Sequence, residues 1–129
     1  MNLSEEMLNK KNWAVVGVNE KKDKWGNRLY NVLKDNDYKV YGVNPNYDEI
    51  DGDKIYHSLK DIGEDVDVID MVVPPKIALS TIEEAKELGI EYIFFQPGTF
   101  NKDVIAKTEE LGLKYVAGEC VYDILKNRP

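Results

Sequence analysis

Four cations, Lys21, Lys22, Lys24 and Arg28, crowd into residues 21–28 of the stretch VVGVNEKKDKWGNR (15–28), with only Asp23 against them in that span. The chain around them is acidic, carrying a net charge of −7 over 129 residues. Gly17 ends a β-branched run just before the cluster, and a helical pattern begins just after it. A strand that ends without a side chain and feeds a helix start offers backbone N–H groups and the positive end of a helix dipole, which together favour an anion. Lys24 and Arg28 beside such a turn suit phosphate groups; the competing reading is an ordinary solvated loop.

The type of phosphate compound is narrowed by what is missing. After Gly17 the next glycine is Gly26, so the dinucleotide fingerprint G-x-G-x-x-G is absent. An NAD site sets an acid on the ribose hydroxyls after the second strand, and here that place reads Val43-Asn44-Pro45. The missing acid and the extra cations fit a nucleotide with an additional ribose phosphate, either coenzyme A or NADP.

Two further stretches bear on such a site. In VVPP, Pro74 and Pro75 follow Val73, hold the chain extended and donate no N–H, so the segment is either a flat apolar wall for an adenine ring or a stiff strand-to-helix connection. In QPG, Gln96 and Gly98 form either a simple turn or a polar pocket edge.

No catalytic constellation can be assembled. His57 is the only histidine and no nucleophile-elbow sequence exists, so His57 is expected to be structural and no catalytic residue is assigned. One histidine and one cysteine do not make a zinc site, and no metal is expected. Asp70 lies inside an apolar run, where a carboxylate needs hydrogen-bond partners or a raised pKa. Glu119 either faces a ligand or caps the last helix. Cys120 is either a quiet core residue or a thiol near a bound thiol ligand.

The elements that must position these residues are read from periodicity. Apolar runs WAVVGV (13–18), YKVYGV (38–43), VDVIDMVV (66–73), YIFF (92–95) and KYVA (114–117) predict five strands, several apolar at successive positions as in a parallel sheet covered on both faces. Helices are expected from Trp25 to Asp35 with a buried stripe of Trp25, Leu29, Val32 and Leu33, closed by a left-handed Asn36, from Pro75 to Gly89, and from an Asn101 cap to Gly112. LSEEML predicts a short helix in residues 1–11, capped by Ser4 and packed outside. Residues 47–65 predict a turn at DGDK and a short helical turn capped by Ser58, with no full helix. The expected fold is α/β, a Rossmann-like doubly wound parallel sheet of about five strands in the order 3-2-1-4-5, with helices on both faces.

Length and composition agree with a single domain over 1–129. The acidic balance argues against nucleic-acid partners, no apolar run reaches the roughly 20 residues of a membrane span, and the N-terminus lacks the apolar core of a secretory signal. The lone cysteine excludes an intrachain disulfide. A cytoplasmic protein is expected.

Taken in order, VVGVNEKKDKWGNRLY, VYGVNPNYDE, SLKDI, VVPP, FFQPGTFN and GEC over residues 12–122 resemble the single-domain CoA-binding proteins, and are similar to the N-terminal CoA-binding domain of the succinyl-CoA synthetase alpha subunit. The resemblance implies a diphosphate held by Gly17, Val18 and Asn19 and by the loop running through Lys24 and Trp25 to Gly26. It implies an adenosine ribose near Val43, Asn44 and Pro45 and an adenine near Val73, Pro74 and Pro75. The synthetase has a lysine after its second strand where Asn46 to Asp48 stand here, so the 3′-phosphate is assigned to Lys24 and Arg28. It also carries its phosphorylated histidine on a second domain that has no counterpart here, so its ligase chemistry does not transfer. The leading expectation is non-enzymatic binding of coenzyme A or an acyl-CoA by a sensor, carrier or partner module. The rivals are an NAD(P)-binding oxidoreductase or redox sensor, and an interaction domain with a vestigial nucleotide site.

Overall fold

A computed structural model describes residues 2–127. Its elements are α1 (Leu3–Leu8), β1 (Asn12–Val16), α2 (Trp25–Asp35), β2 (Lys39–Val43), β3 (Glu49–Ile50), β4 (Asp53–Tyr56), a 3-10 turn (Leu59–Asp61), β5 (Val68–Met71), α3 (Pro75–Glu87), β6 (Tyr92–Phe95), α4 (Lys102–Glu110), β7 (Lys114–Ala117) and α5 (Val121–Lys126). All seven strands form one sheet in the order β3-β4-β2-β1-β5-β6-β7, parallel except for the β3–β4 hairpin.

The fold is the expected Rossmann-like α/β sheet, with two corrections of detail. The described residues form seven strands instead of five, and VDVIDMVV does not lie outside the second strand. It supplies β5, which pairs with β1 on the opposite side. The outer place belongs to β4, which pairs with the end of β2. Counted this way, β4-β2-β1-β5-β6-β7 follows the doubly wound order 3-2-1-4-5-6. The physical reason lies in burial: every residue of β5 is buried, as suits a central strand, whereas DKIY buries only Ile55 and can serve near an edge. Asp51 and Gly52, both at positive φ, turn β3 back onto β4.

Side-chain alternation divides the core between the two faces. Trp13 and Val15 of β1 and Phe94 of β6 pack with Met7, Leu29, Leu33 and Leu125 from α1, α2 and α5. Ala14, Val16, Ile69, Met71 and Phe95 pack with Ala78, Ile82 and Val104 from α3 and α4.

The helix boundaries follow local chemistry. Pro75 opens α3, and the Asn101 side chain accepts the Val104 N–H at the start of α4. In α2 the buried residues are Gly26, Asn27, Leu29, Tyr30 and Leu33, while Trp25 is 47% exposed and Val32 only partly covered. The left-handed residue after α2 is Asp37, not Asn36. The α1 cap is Asn2, which accepts the Glu5 N–H, so Ser4 is instead a buried residue of the first turn.

Candidate functional site

The direction of chain winding reverses between β1 and β5, and the strand ends there are where ligands bind in open α/β sheets. Gly17 follows β1 at φ 107°, and its N–H donates to the Val43 carbonyl at 2.9 Å. A Cβ on Gly17 would stand 3.0 Å from the Val72 carbonyl carbon and from Val73 Cγ1. At Gly26 a Cβ would fall 2.1 Å from the Gly17 carbonyl oxygen. Only glycine permits the first turn of α2 to abut the end of β1 this closely. Gly26 thus gives the close helix-to-strand approach that one glycine of a dinucleotide fingerprint gives, at a different spacing.

The loop between these glycines is held by side-chain amides. Asn44 Nδ2 donates to the Val18 carbonyl at 2.8 Å, and Asn27 Nδ2 to the Asn19 carbonyl at 3.0 Å. Asn19 Oδ1 accepts the Lys21 N–H at 2.8 Å. Asn44 Oδ1 also accepts the Asn46 N–H, shaping the turn after β2. Asn44 therefore couples the first and second strand ends, a role apart from the nearness to ribose that the resemblance implies.

Beneath this loop, on the α3 side of the sheet, lies a cleft of about 270 Å³. Its floor includes Val16, Gly17, Val43 and Asn44, with Pro45 and Asn46 at the rim. One wall is His57, Ser58 and Leu59 after β4, and the other is Val73 with Ile77, Thr81 and Glu84 of α3. Gly17, Val43, Asn44, Pro45 and Val73 thus converge on one cavity. Pro75 opens α3 and Pro74 precedes it, and neither lines the cleft.

The other candidates fall elsewhere. Lys24 is the exposed residue capping α2, and its N–H is bound to the Lys21 carbonyl. Arg28 stacks its guanidinium 5.0 Å from the Trp25 ring, which in turn meets the edge of Tyr122 at 5.6 Å. Neither cation lines the cleft. Gly98 is exposed at φ 87° in a turn closed by the Thr99 N–H on the Gln96 carbonyl.

The Gln96 side chain points inward. It donates to Asp70, which is fully buried, and pairs in register with Val15 and Phe94 of the Trp13 face. Burial pushes the Asp70 carboxyl up to about 7, with the Gln96 bond pulling the other way. Asp70 Oδ2 and Gln96 Oε1 have no partner among the described residues. Burial with no partner on Oδ2 favours the neutral, protonated carboxyl over the charged one.

Sequence reasoning missed Asn27, Ile77, Thr81 and Glu84, and it treated His57 as structural. His57 Nε2 stands 2.7 Å from Asp48 Oδ1 at the cleft wall. Recognising DKIY as a strand would have placed HSL at a strand end and so at the site. Ile77, Thr81 and Glu84 share a helix face at i, i+4 and i+7, but that spacing reads equally well as packing. Among the described residues no group of three or more His, Cys, Asp or Glu side chains could hold a metal ion, and no helix is long and apolar enough to cross a membrane.

The comparisons with known proteins agree with this geometry. The model of a CoA binding domain matches residues 11–125. An ADP-forming acetate–CoA ligase of Methanocaldococcus jannaschii is 31% identical over 109 residues, covering 81% of this chain and 16% of the ligase. The alpha subunit of ADP-forming acetate–CoA ligase II of Pyrococcus furiosus is 28% identical over 125 residues, covering 88% of this chain and 27% of the subunit. The chain therefore spans under a third of these curated relatives. A conserved hypothetical protein of Pyrococcus furiosus has a solved structure 38% identical to this chain, with a TM-score of 0.85, covering 89% of this chain and 99% of its own. With the strand-end cleft, the glycine pair and a family match running nearly end to end, the chain belongs to the CoA-binding domain family.

Proposed function

We propose that the protein binds coenzyme A or an acyl-CoA without transforming it, as a sensor, carrier or partner module. The observation that carries this reading is the convergence of Gly17, Val43, Asn44, Pro45 and Val73 on one cleft at the strand ends of a CoA-binding domain. The apolar floor and the Val73 wall suit a purine. The Gly17 loop and the start of α2 suit the diphosphate, with Lys24 and Arg28 at the solvent side. From there the pantetheine arm runs outward along the strand ends.

The absence of an acid at the end of β2 weighs against NAD, because Asn44 stands there with its amide already bonded to the loop. A non-catalytic role is supported by what surrounds the cleft. Its hydroxyls are engaged within the protein: the Ser58 hydroxyl donates to Asp61 three residues on in its own turn, and the Thr81 hydroxyl to the Ile77 carbonyl of its own helix. Calorimetric titration with coenzyme A, NAD and NADPH tests the ligand. Saturable binding of coenzyme A with weaker or no binding of the others is expected; binding of NADPH alone would make this a redox-cofactor site.

A further inference from the structure

The polar groups lining the cleft are unequally committed. Asn44 is spent on Val18 and Asn46, Ser58 on Asp61, and Thr81 on Ile77. Two ionisable side chains keep capacity for a ligand. His57 uses Nε2 on Asp48 and leaves Nδ1, while Glu84 receives only a long 3.4 Å contact from the Lys60 N–H on Oε2 and leaves Oε1. They come from facing walls, His57 from the segment after β4 and Glu84 from α3, two helical turns beyond Ile77. Leu59, Val73 and Ile77 lie among the cleft's apolar lining.

Such a cleft is polarised. Among the described residues that line it, His57 is the only one able to carry positive charge, and Glu84 the only carboxylate. An anion placed at Glu84 would meet like charge, and an amine placed there would find an acceptor. The adenosine end of coenzyme A has a matching polarity: a flat apolar ring, an exocyclic amine that only donates, and a ribose 3′-phosphate that accepts. Resting on the coenzyme A reading above, we propose that the cleft orients 3′-phosphoadenosine by two side chains, with His57 at the 3′-phosphate and Glu84 at the purine amine.

The His57 role moves the 3′-phosphate away from Lys24 and Arg28, which lie outside the cleft. Donation to both Asp48 and a phosphate requires the imidazolium, with a proton on each nitrogen. Asp48 holds the ring in place, and its highly exposed carboxylate is screened by solvent and opposes an incoming phosphate little. Asn46, at the same rim, has a side-chain amide to share the phosphate.

The test is a crossed calorimetric titration of wild type, His57→Ala and Glu84→Ala with coenzyme A, dephospho-CoA and 1,N6-etheno-CoA, whose purine amine is blocked. Wild type is expected to prefer coenzyme A over each analogue by about tenfold, the scale of one charge-assisted hydrogen bond. His57→Ala should lose the preference over dephospho-CoA and keep that over etheno-CoA. Glu84→Ala should do the reverse, and each retained preference shows that the variant is folded. Wild type binding all three alike, or variants keeping both preferences, would overturn this assignment while leaving the coenzyme A reading intact. Failure of wild type to bind any of them would remove both.

Discussion

Two polar sites lie at the carboxyl ends of the same sheet, and they are built in opposite ways. The cleft at β1, β2 and β5 is open; its loops are tied down by amides, and His57 and Glu84 keep atoms free to meet a ligand. The Asp70–Gln96 pair sits on the other face in the closed interior, where two acceptors have no partner among the described residues. Unspent polar capacity facing solvent costs little, because water fills it until a ligand arrives. The same capacity in the interior carries a desolvation cost, which protonation of Asp70 relieves. The difference separates a binding group from a structural one more sharply than residue type does.

The largest break in this comparison is expected from Gly26→Ala. With its Cβ 2.1 Å from the Gly17 carbonyl oxygen, the first turn of α2 must move off the strand end. A loss of about 3 kcal/mol is expected in urea unfolding, together with loss of coenzyme A binding. Wild-type stability with intact binding would mean that the close approach is dispensable.

Gly26 also shows how far the sequence could be read. The sheet, the limits of α2, the Pro75 and Asn101 starts and the VNPN and VVPP corners were legible because each rests on local periodicity or on a residue with one strong conformational preference. The strand order was not, because DKIY is short and half polar, and only its pairing with β2 makes it the third strand. Trp25 fits the helical stripe by spacing, yet it lies at the first position of α2, where its ring carries the Arg28 guanidinium and meets Tyr122 edge-on at the surface. Gln96 reads as a pocket edge in one dimension, and only its side-chain bond to buried Asp70 of the neighbouring strand shows that it turns inward.

Asp70→Asn sharpens the interior side. Because the folded-state pKa of Asp70 is raised to about 7, its contribution is fully present below the unfolded carboxyl value near pH 4. It is lost as pH climbs through about 7, since the folded state holds the proton over that window and the unfolded state does not. Wild-type stability is expected to fall by a few kcal/mol over that range, on the order of 1.4 kcal/mol per pH unit at most. Asn can donate to Gln96 without ionising, so this part of the decline should vanish in the variant. Parallel pH profiles for the two proteins would show that Asp70 ionises freely.

On the open side, Asn44→Ala removes the bond to the Val18 carbonyl and the bond that shapes the Asn46 turn. About 1–2 kcal/mol of stability should be lost, with a larger proportional loss in affinity for coenzyme A. An unchanged affinity would detach this coupling from binding. The smallest structural effect is expected from Lys24→Ala/Arg28→Ala. The pair is exposed, so the melting temperature should stay within a degree or two while affinity for coenzyme A weakens and its salt dependence flattens. A wild-type salt dependence would remove these cations from the site.

The most direct test of the central claim is amide chemical-shift mapping of the 15N-labelled protein during titration with coenzyme A. Shifts are predicted to concentrate at Gly17, Val18, Val43, Asn44, Asn46, His57 and Val73, with the amides of Asp70 and of α4, which does not line the cleft, little changed. Shifts confined to another surface, or none at ligand concentrations that saturate related CoA-binding domains, would contradict the account.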